Sequence, residues 1–261
     1  MSIKNILIAT TMLCLASTAW AQRIFMVGDS HVTAPMYPGT VGDSLKTVLP
    51  DCEFDSFGIV GAGFYTYNKS EENMARILEA KPEVLIVHLG TNDSYAAKFN
   101  PETFTQNMTT FYDSIHAKLP DCKVVFVTPF YNKRKNKTTT YKEVTVKTKR
   151  GKTVTRRKPV TTTNWVLNEN TRLCADAIQK FCDEHPGTYC IDNNRERGMD
   201  FIDEELIRKD FVHLTKDGYV TLGNQVYDSL RRIEPLWGNV LGPQPQSEDQ
   251  PEEEEIPDTE E

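Results

Sequence analysis

The stretch Ile24-Phe25-Met26-Val27-Gly28-Asp29-Ser30-His31 decides how this chain is read. Four unbroken apolar residues run straight into a glycine, a carboxylate, a hydroxyl and an imidazole. A run that short and continuous reads as a strand buried on both faces, and Ser30 falls on the turn that leaves it. Strand-like runs recur at residues 52–57, 84–89, 124–128 and 188–191. Helical patterns fill the intervals at 41–48, 71–80, 101–118 and 165–184, and a closing helix is expected over 215–232. The central runs, Val84-Leu85-Ile86-Val87 and Val124-Val125-Phe126-Val127, carry no polar residue at all. Strands alternating with helices predict an α/β fold, a three-layer α/β/α sandwich around a doubly wound parallel sheet. Asn100 with Pro101 marks a helix start, and Pro50 and Pro120 mark helix stops.

Functional groups of a parallel sheet gather at the carboxyl ends of its strands. Ser30 follows the first strand, Gly61 the second and Asn92 the third, while Asp210 and His213 follow the fifth. A serine hydroxyl needs a base to take its proton during attack, and His213 is the candidate. Asp210 can accept from the far ring nitrogen and fix the tautomer. Charge building on a carbonyl oxygen needs prearranged donors, which the Ser30 and Gly61 backbone N–H groups and the Asn92 amide can supply. Glycine at 61 permits close approach of the backbone, although Gly58 and Gly63 compete for that role. The blander readings make Asn92 a helix cap and Asp210 with His213 a capping pair. His31 reads as structural or as support behind the site, and His88 as a packed core residue.

Gly28-Asp29-Ser30, Gly61, Gly90-Thr91-Asn92-Asp93 and Asp210-x-x-His213 resemble the four blocks of the SGNH hydrolases, the GDSL esterase/lipase family. The resemblance spans residues 24–232. It implies a flavodoxin-like parallel sheet of five strands in the order 2-1-3-4-5. It also implies catalytic Ser30, Asp210 and His213, an oxyanion hole of Ser30, Gly61 and Asn92, and neither metal nor cofactor. His31 stands where the family usually has leucine. A Gly-Asp-Ser-His start behind an export signal resembles the peptidoglycan and polysaccharide O-acetylesterase branches more than the lipases.

The chain has 261 residues, a net charge of −7 and 39% apolar residues. Residues 1–21 read as an export signal: Lys4, an apolar run over 6–16, and Ala19-Trp20-Ala21 before the expected cleavage. The run is too short for a membrane span, so an extracytoplasmic location, periplasmic or secreted, is expected with no transmembrane segment after cleavage. Residues 22–243 suit one domain. Residues 244–261 carry Glu248, Asp249, Glu252 to Glu255, Asp258, Glu260 and Glu261 with no base, and are expected to be disordered. The negative charge belongs to that tail, and the folded part is close to neutral. Cys52, Cys122, Cys174, Cys182 and Cys190 remain after cleavage. A Cys182–Cys190 disulfide and a set of small buried thiols are both open readings.

Residues 132–163 break the rhythm with twelve bases, from Lys133 to Lys158, against the single acid Glu143. Thr/Val-rich runs at 143–148 and 152–155 flank Lys149-Arg150-Gly151 and predict a β-hairpin arm. Such an arm favours a hydrated, anionic polymer. Arg150 and Lys152, with Asp29 and His31 near the serine, are candidates for binding it. Nucleic acid is not expected, because aromatic interleaving is thin and the chain carries an export signal. The expected activity is removal of O-acetyl groups from a carbohydrate or cell-wall polymer. A lysophospholipase or short-chain lipid esterase is the alternative within the enzyme class, and a non-catalytic glycan-binding surface protein is the alternative outside it. The sequence leaves the oligomeric state open.

Overall fold

A computed structural model describes residues 22–37, 39–49, 52–96, 98–147, 149–194, 205–233 and 236. The expected export signal and the acidic tail lie outside the described residues.

Five parallel strands form the central sheet: β1 (Arg23–Gly28), β2 (Glu53–Gly58), β3 (Val84–His88), β4 (Lys123–Val127) and β7 (Thr188–Ile191). Their spatial order is β2-β1-β3-β4-β7, which is the expected 2-1-3-4-5 once the inserted hairpin is counted. Gly28 pairs with both Gly58 and His88, so the first three strands end level with one another.

Side chains alternate across the sheet and build two cores. Ile24, Met26, Val84, Ile86, Val125 and Val127 face one layer. There they meet Val41 and Leu45 of α1 (Val41–Val48) and Tyr219, Leu222, Val226 and Leu230 of α7 (Lys216–Arg232). Phe25, Val27, Leu85, Val87, Val124 and Phe126 face the other. They meet α2 (Phe64–Asn68), α3 (Glu71–Ala80), α5 (Pro101–His116) and α6 (Glu169–Glu184). A short α4 (Thr91–Ser94) follows β3. Each fully buried large side chain contributes about 1.5–3 kcal/mol, so unbroken apolar strands are what a sheet covered on both faces requires. Helix starts are chemically marked: Asn100 accepts from the Thr103 N–H ahead of Pro101, and Thr215 accepts from Gly218.

The arm corrects two expectations. It is a ribbon of two 15-residue strands, β5 (Lys133–Lys147) and β6 (Thr153–Leu167), far longer than the runs at 143–148 and 152–155. The helix expected from residue 165 begins at Glu169, because Trp165, Val166 and Leu167 pair with Lys135, Arg134 and Lys133. Neither face of the ribbon is buried, so no apolar alternation betrays its length. Its midsection is a threonine ladder, with the Thr139 and Thr161 hydroxyls 3.1 Å apart. At about 3.4 Å per residue the ribbon extends some 50 Å.

Among the described residues, no two cysteines are joined by a disulfide. Cys182 and Cys190 are neighbours joined by a side-chain hydrogen bond that lowers the Cys182 pKa, not by a disulfide. Among the described residues, no helix is long and apolar enough to cross a membrane.

Candidate active site

β1 ends at Gly28, and the chain turns at once, the Asp29 carbonyl accepting from the Val32 and Thr33 N–H groups. Ser30 rides on that turn, only 5% exposed. Across the sheet edge, residues 206–215 form a tight loop. Arg208 and His213 are joined by a backbone bond of 2.8 Å, Thr215 donates to the Leu206 carbonyl, and Ile207 bridges to Leu214. That loop presents Asp210 and His213.

The three groups form one line. The Ser30 hydroxyl lies 2.9 Å from His213 Nε2, and His213 Nδ1 lies 2.9 Å from Asp210 Oδ2. The other Asp210 oxygen accepts from the Val212 and His213 backbone N–H groups. Burial raises the Asp210 pKa, but these donors and the His213 ring outweigh it and hold the carboxyl below its usual value. An ionised Asp210 accepts a hydrogen bond from Nδ1–H, which leaves Nε2 free to accept from Ser30.

The oxyanion candidates also converge. Gly61 has φ +79, and a side chain built on it would meet nothing within 4 Å. The space a side chain would fill is therefore open, and the conformation favours glycine. A Cβ on Gly58 would lie 2.4 Å from the Asp29 carbonyl, and one on Gly63 would lie 2.5 Å from the Asp93 carboxylate. Those two glycines serve packing, which separates them from Gly61. Neither the Ser30 nor the Gly61 N–H has a partner among the described residues. Asn92 stands beside them, with both amide hydrogens engaged in this resting site: 3.0 Å to Asp29 Oδ2 and 2.9 Å to the Ala62 carbonyl. To serve a developing oxyanion it must share one of them.

Asp29 and His31, the candidates for substrate binding near the serine, are both fully buried. Asp29 accepts from the His31 N–H and from Asn92, and burial pushes its pKa up to about 7. His31 lies behind the His213 ring, 5.3 Å between centroids, with its Nδ1 3.2 Å from the Tyr219 hydroxyl. Burial, then the neighbouring His88 and His213, hold it well below the usual imidazole range. His88 packs in the core, as its strand position predicts, and burial lowers it to about 4. Arg150 and Lys152 flank the turn at the arm's far tip, and the structure does not bring them to the serine.

Sequence reading missed Tyr37 and Phe211. The Tyr37 hydroxyl lies 3.0 Å from His213 Nδ1, its ring lies 4.2 Å from the imidazole, and the Arg208 guanidinium sits over it. Nothing in the irregular stretch around it signals this. Phe211 has φ +54, rare for a bulky residue, and so strains the turn between Asp210 and His213. Among the described residues no cluster of three His, Cys, Asp or Glu side chains could hold a metal ion.

A five-stranded parallel sheet in this order, with a hydroxyl, an imidazole and a carboxylate on its carboxyl edge, points to the SGNH class of esterases. Residues 26–220 match the model of the GDSL-like lipase/acylhydrolase family; the chain belongs to that family and is thus a carboxylic ester hydrolase. Solved structures agree on the fold. A lipase/acylhydrolase from Enterococcus faecalis is 17% identical, with a TM-score of 0.54, covering 81% of this chain and 96% of its own. An acetylxylan esterase from Geobacillus stearothermophilus is 12% identical, with a TM-score of 0.54, covering 79% and 93%. The C-terminal catalytic domain of Streptococcus pneumoniae peptidoglycan O-acetyltransferase A is 16% identical, with a TM-score of 0.50, covering 82% and 96%. A comparison with curated proteins found no match.

Proposed function

We propose that the protein is an exported serine esterase that removes acetyl groups from a carbohydrate or cell-wall polymer. The observation that carries the reading is the unbroken line from Ser30 through His213 to Asp210, with 2.9 Å at each link. Ser30 Oγ attacks the ester carbonyl while its proton passes to His213 Nε2. The carbonyl oxygen becomes an oxyanion between the Ser30 and Gly61 N–H groups and the Asn92 amide. Collapse breaks the bond to the sugar oxygen, which takes the proton back from His213 and leaves an acetyl group on Ser30. Water, deprotonated by the same histidine, then attacks the acyl carbon, and acetate leaves as the proton returns to Ser30.

Export is supported by the composition of residues 1–21. A carbohydrate substrate is supported by the polar basic arm, which is a poor lid for a lipid. A cavity of about 280 Å³ lined by Gly61, Asn92, Phe99 and Phe104 leaves room for a short acyl group beside the oxyanion candidates.

The test is hydrolysis of p-nitrophenyl acetate by the purified protein and by Ser30→Ala. The variant is expected to lose at least about 10⁴-fold in kcat/KM. Equal rates would end the catalytic reading and favour a glycan-binding role. Acetate release from acetylated glycans, measured beside long-chain acyl esters, decides the substrate class. A strong preference for long chains would make the protein a lipid esterase.

A further inference from the structure

We propose that the cavity at the root of the basic arm is a subsite for an anionic sugar unit next to the acetylated one. The proposal rests on the esterase reading and adds the substrate class to it. The cavity has a volume of about 570 Å³, and its walls include Tyr95, Lys133, Arg134, Lys135, Trp165 and Asp210. That volume falls within the range of roughly 300–1,000 Å³ common to small-molecule sites.

Its position follows from the chemistry. His213 returns a proton to the sugar oxygen, so the sugar must lie on the His213 side of the serine. Asp210 and Val212, which flank His213, also line this cavity. The polymer leaving the acetyl group therefore passes directly over it.

Its charge is predominantly positive, with three bases against one acid in the lining. Lys133, Arg134 and Lys135 converge on the cavity, and among the described residues none forms an ion pair. The Lys133 ammonium lies 4.5 Å from the Phe211 ring centre, and the Lys135 ammonium 5.2 Å from that of Trp165. Ammonium groups held over rings keep donors for an anion. The one facing acid, Asp210, has both oxygens occupied by its own loop and by His213. Trp165 and Tyr95, each 36% exposed, leave part of their rings open to a ligand. An aromatic platform beside clustered cations suits a glycan bearing carboxylate or phosphate.

The wall is fixed in place. The Tyr95 hydroxyl donates to the Lys133 carbonyl at 2.6 Å, and Asn168 ties Asn132 to Ser94. The Lys133 N–H donates to the Phe211 carbonyl at 3.1 Å, so the arm's root is bonded to the loop that carries Asp210 and His213. Groups ordered in advance lose little entropy when the ligand arrives.

The test compares the wild type with Arg134→Ala/Lys135→Ala on three substrates: an acetylated polyuronate, an acetylated phosphate-bearing glycan and a neutral acetylated xylan. Each kcat/KM is divided by that for p-nitrophenyl acetate with the same preparation. The double variant is expected to lose about 10- to 100-fold on an anionic glycan, as removal of a charge-assisted contact implies, and far less on xylan. Arg134→Lys/Lys135→Arg should restore most of the loss. The anionic glycan that suffers more identifies carboxylate or phosphate as the anion. Equal losses on neutral and anionic polymers, or no loss on any, would overturn the proposal. Calorimetric binding of a deacetylated oligouronate and a phosphate-bearing oligosaccharide tests the subsite apart from catalysis. Binding of at least one by the wild type and not by the double variant supports it even if Ser30→Ala changes nothing. Absence of binding for both refutes it.

Discussion

Asp29 holds a carboxyl group where water does not reach, with a pKa of about 7. Its two oxygens do different jobs: one fixes the turn at His31, and the other holds the Asn92 amide. Asn92 in turn reaches Ala62, so a single amide joins the turns after β1, β2 and β3. Asp29→Asn keeps the shape but sets an NH₂ group against the Asn92 NH₂. The expected outcome is a kcat lower by about 10- to 100-fold with little change in KM, since in the proposed mechanism the Asn92 amide is an oxyanion donor that Asp29 orients. Steady-state kinetics on p-nitrophenyl acetate check it, and an unchanged kcat would remove Asn92 from the mechanism. The motif residues were legible because each is a chemically distinctive type after an apolar run. Tyr37 was not, because its contact with His213 depends on the path of a loop without periodicity.

At the scale of elements, the ribbon stands apart from the packed layers. Most of its residues beyond the root are exposed on both faces, so it adds no core, and a two-stranded ribbon alone is marginally stable in water. Replacing residues 138–162 with a two-residue turn keeps Lys133 to Lys137 and Trp165. The expected shift in melting temperature is within about 3 °C, measured by circular dichroism, since no apolar layer is lost. A fall of 10 °C or more would mean that the ribbon packs against the domain. The central parallel strands were readable from the sequence because burial on two faces leaves an unbroken apolar signature, as in β3 and β4. The ribbon's length was hidden because strand pairing without burial leaves none, and Trp165 to Leu167 looked helical until they paired with Lys133 to Lys135.

At the scale of the molecule, buried ionisable groups set a pH profile. His88 is lowered from 6.5 to about 4, and neither ring nitrogen has a hydrogen-bond partner among the described residues. Between those values the unfolded chain binds the proton and the folded one does not. Stability from His88 is therefore fully present above about 6.5 and is lost as pH falls toward 4. Asp29 and Asp93, raised to about 7 and about 6, act in the opposite sense and lose stability as pH rises through those values. Replacing His88 isolates one contribution: His88→Leu should gain about 2 kcal/mol on the wild type in going from pH 7 to pH 5. Urea unfolding at the two pH values measures it, and a constant difference would mean that His88 titrates normally in the fold.

The order of apolar runs determined the sheet, and the residue types that follow them determined which chemistry could gather at its edge. Both are local properties, written in consecutive residues. Only the tertiary structure decided that Gly61, rather than Gly58 or Gly63, has open space where a side chain would stand, and that Asp29 and His31 are fully buried. It also set the arm's root, rather than its tip, beside Asp210. Those outcomes depend on what lies across a gap from each residue, and distance through space is not recorded in the order of the chain.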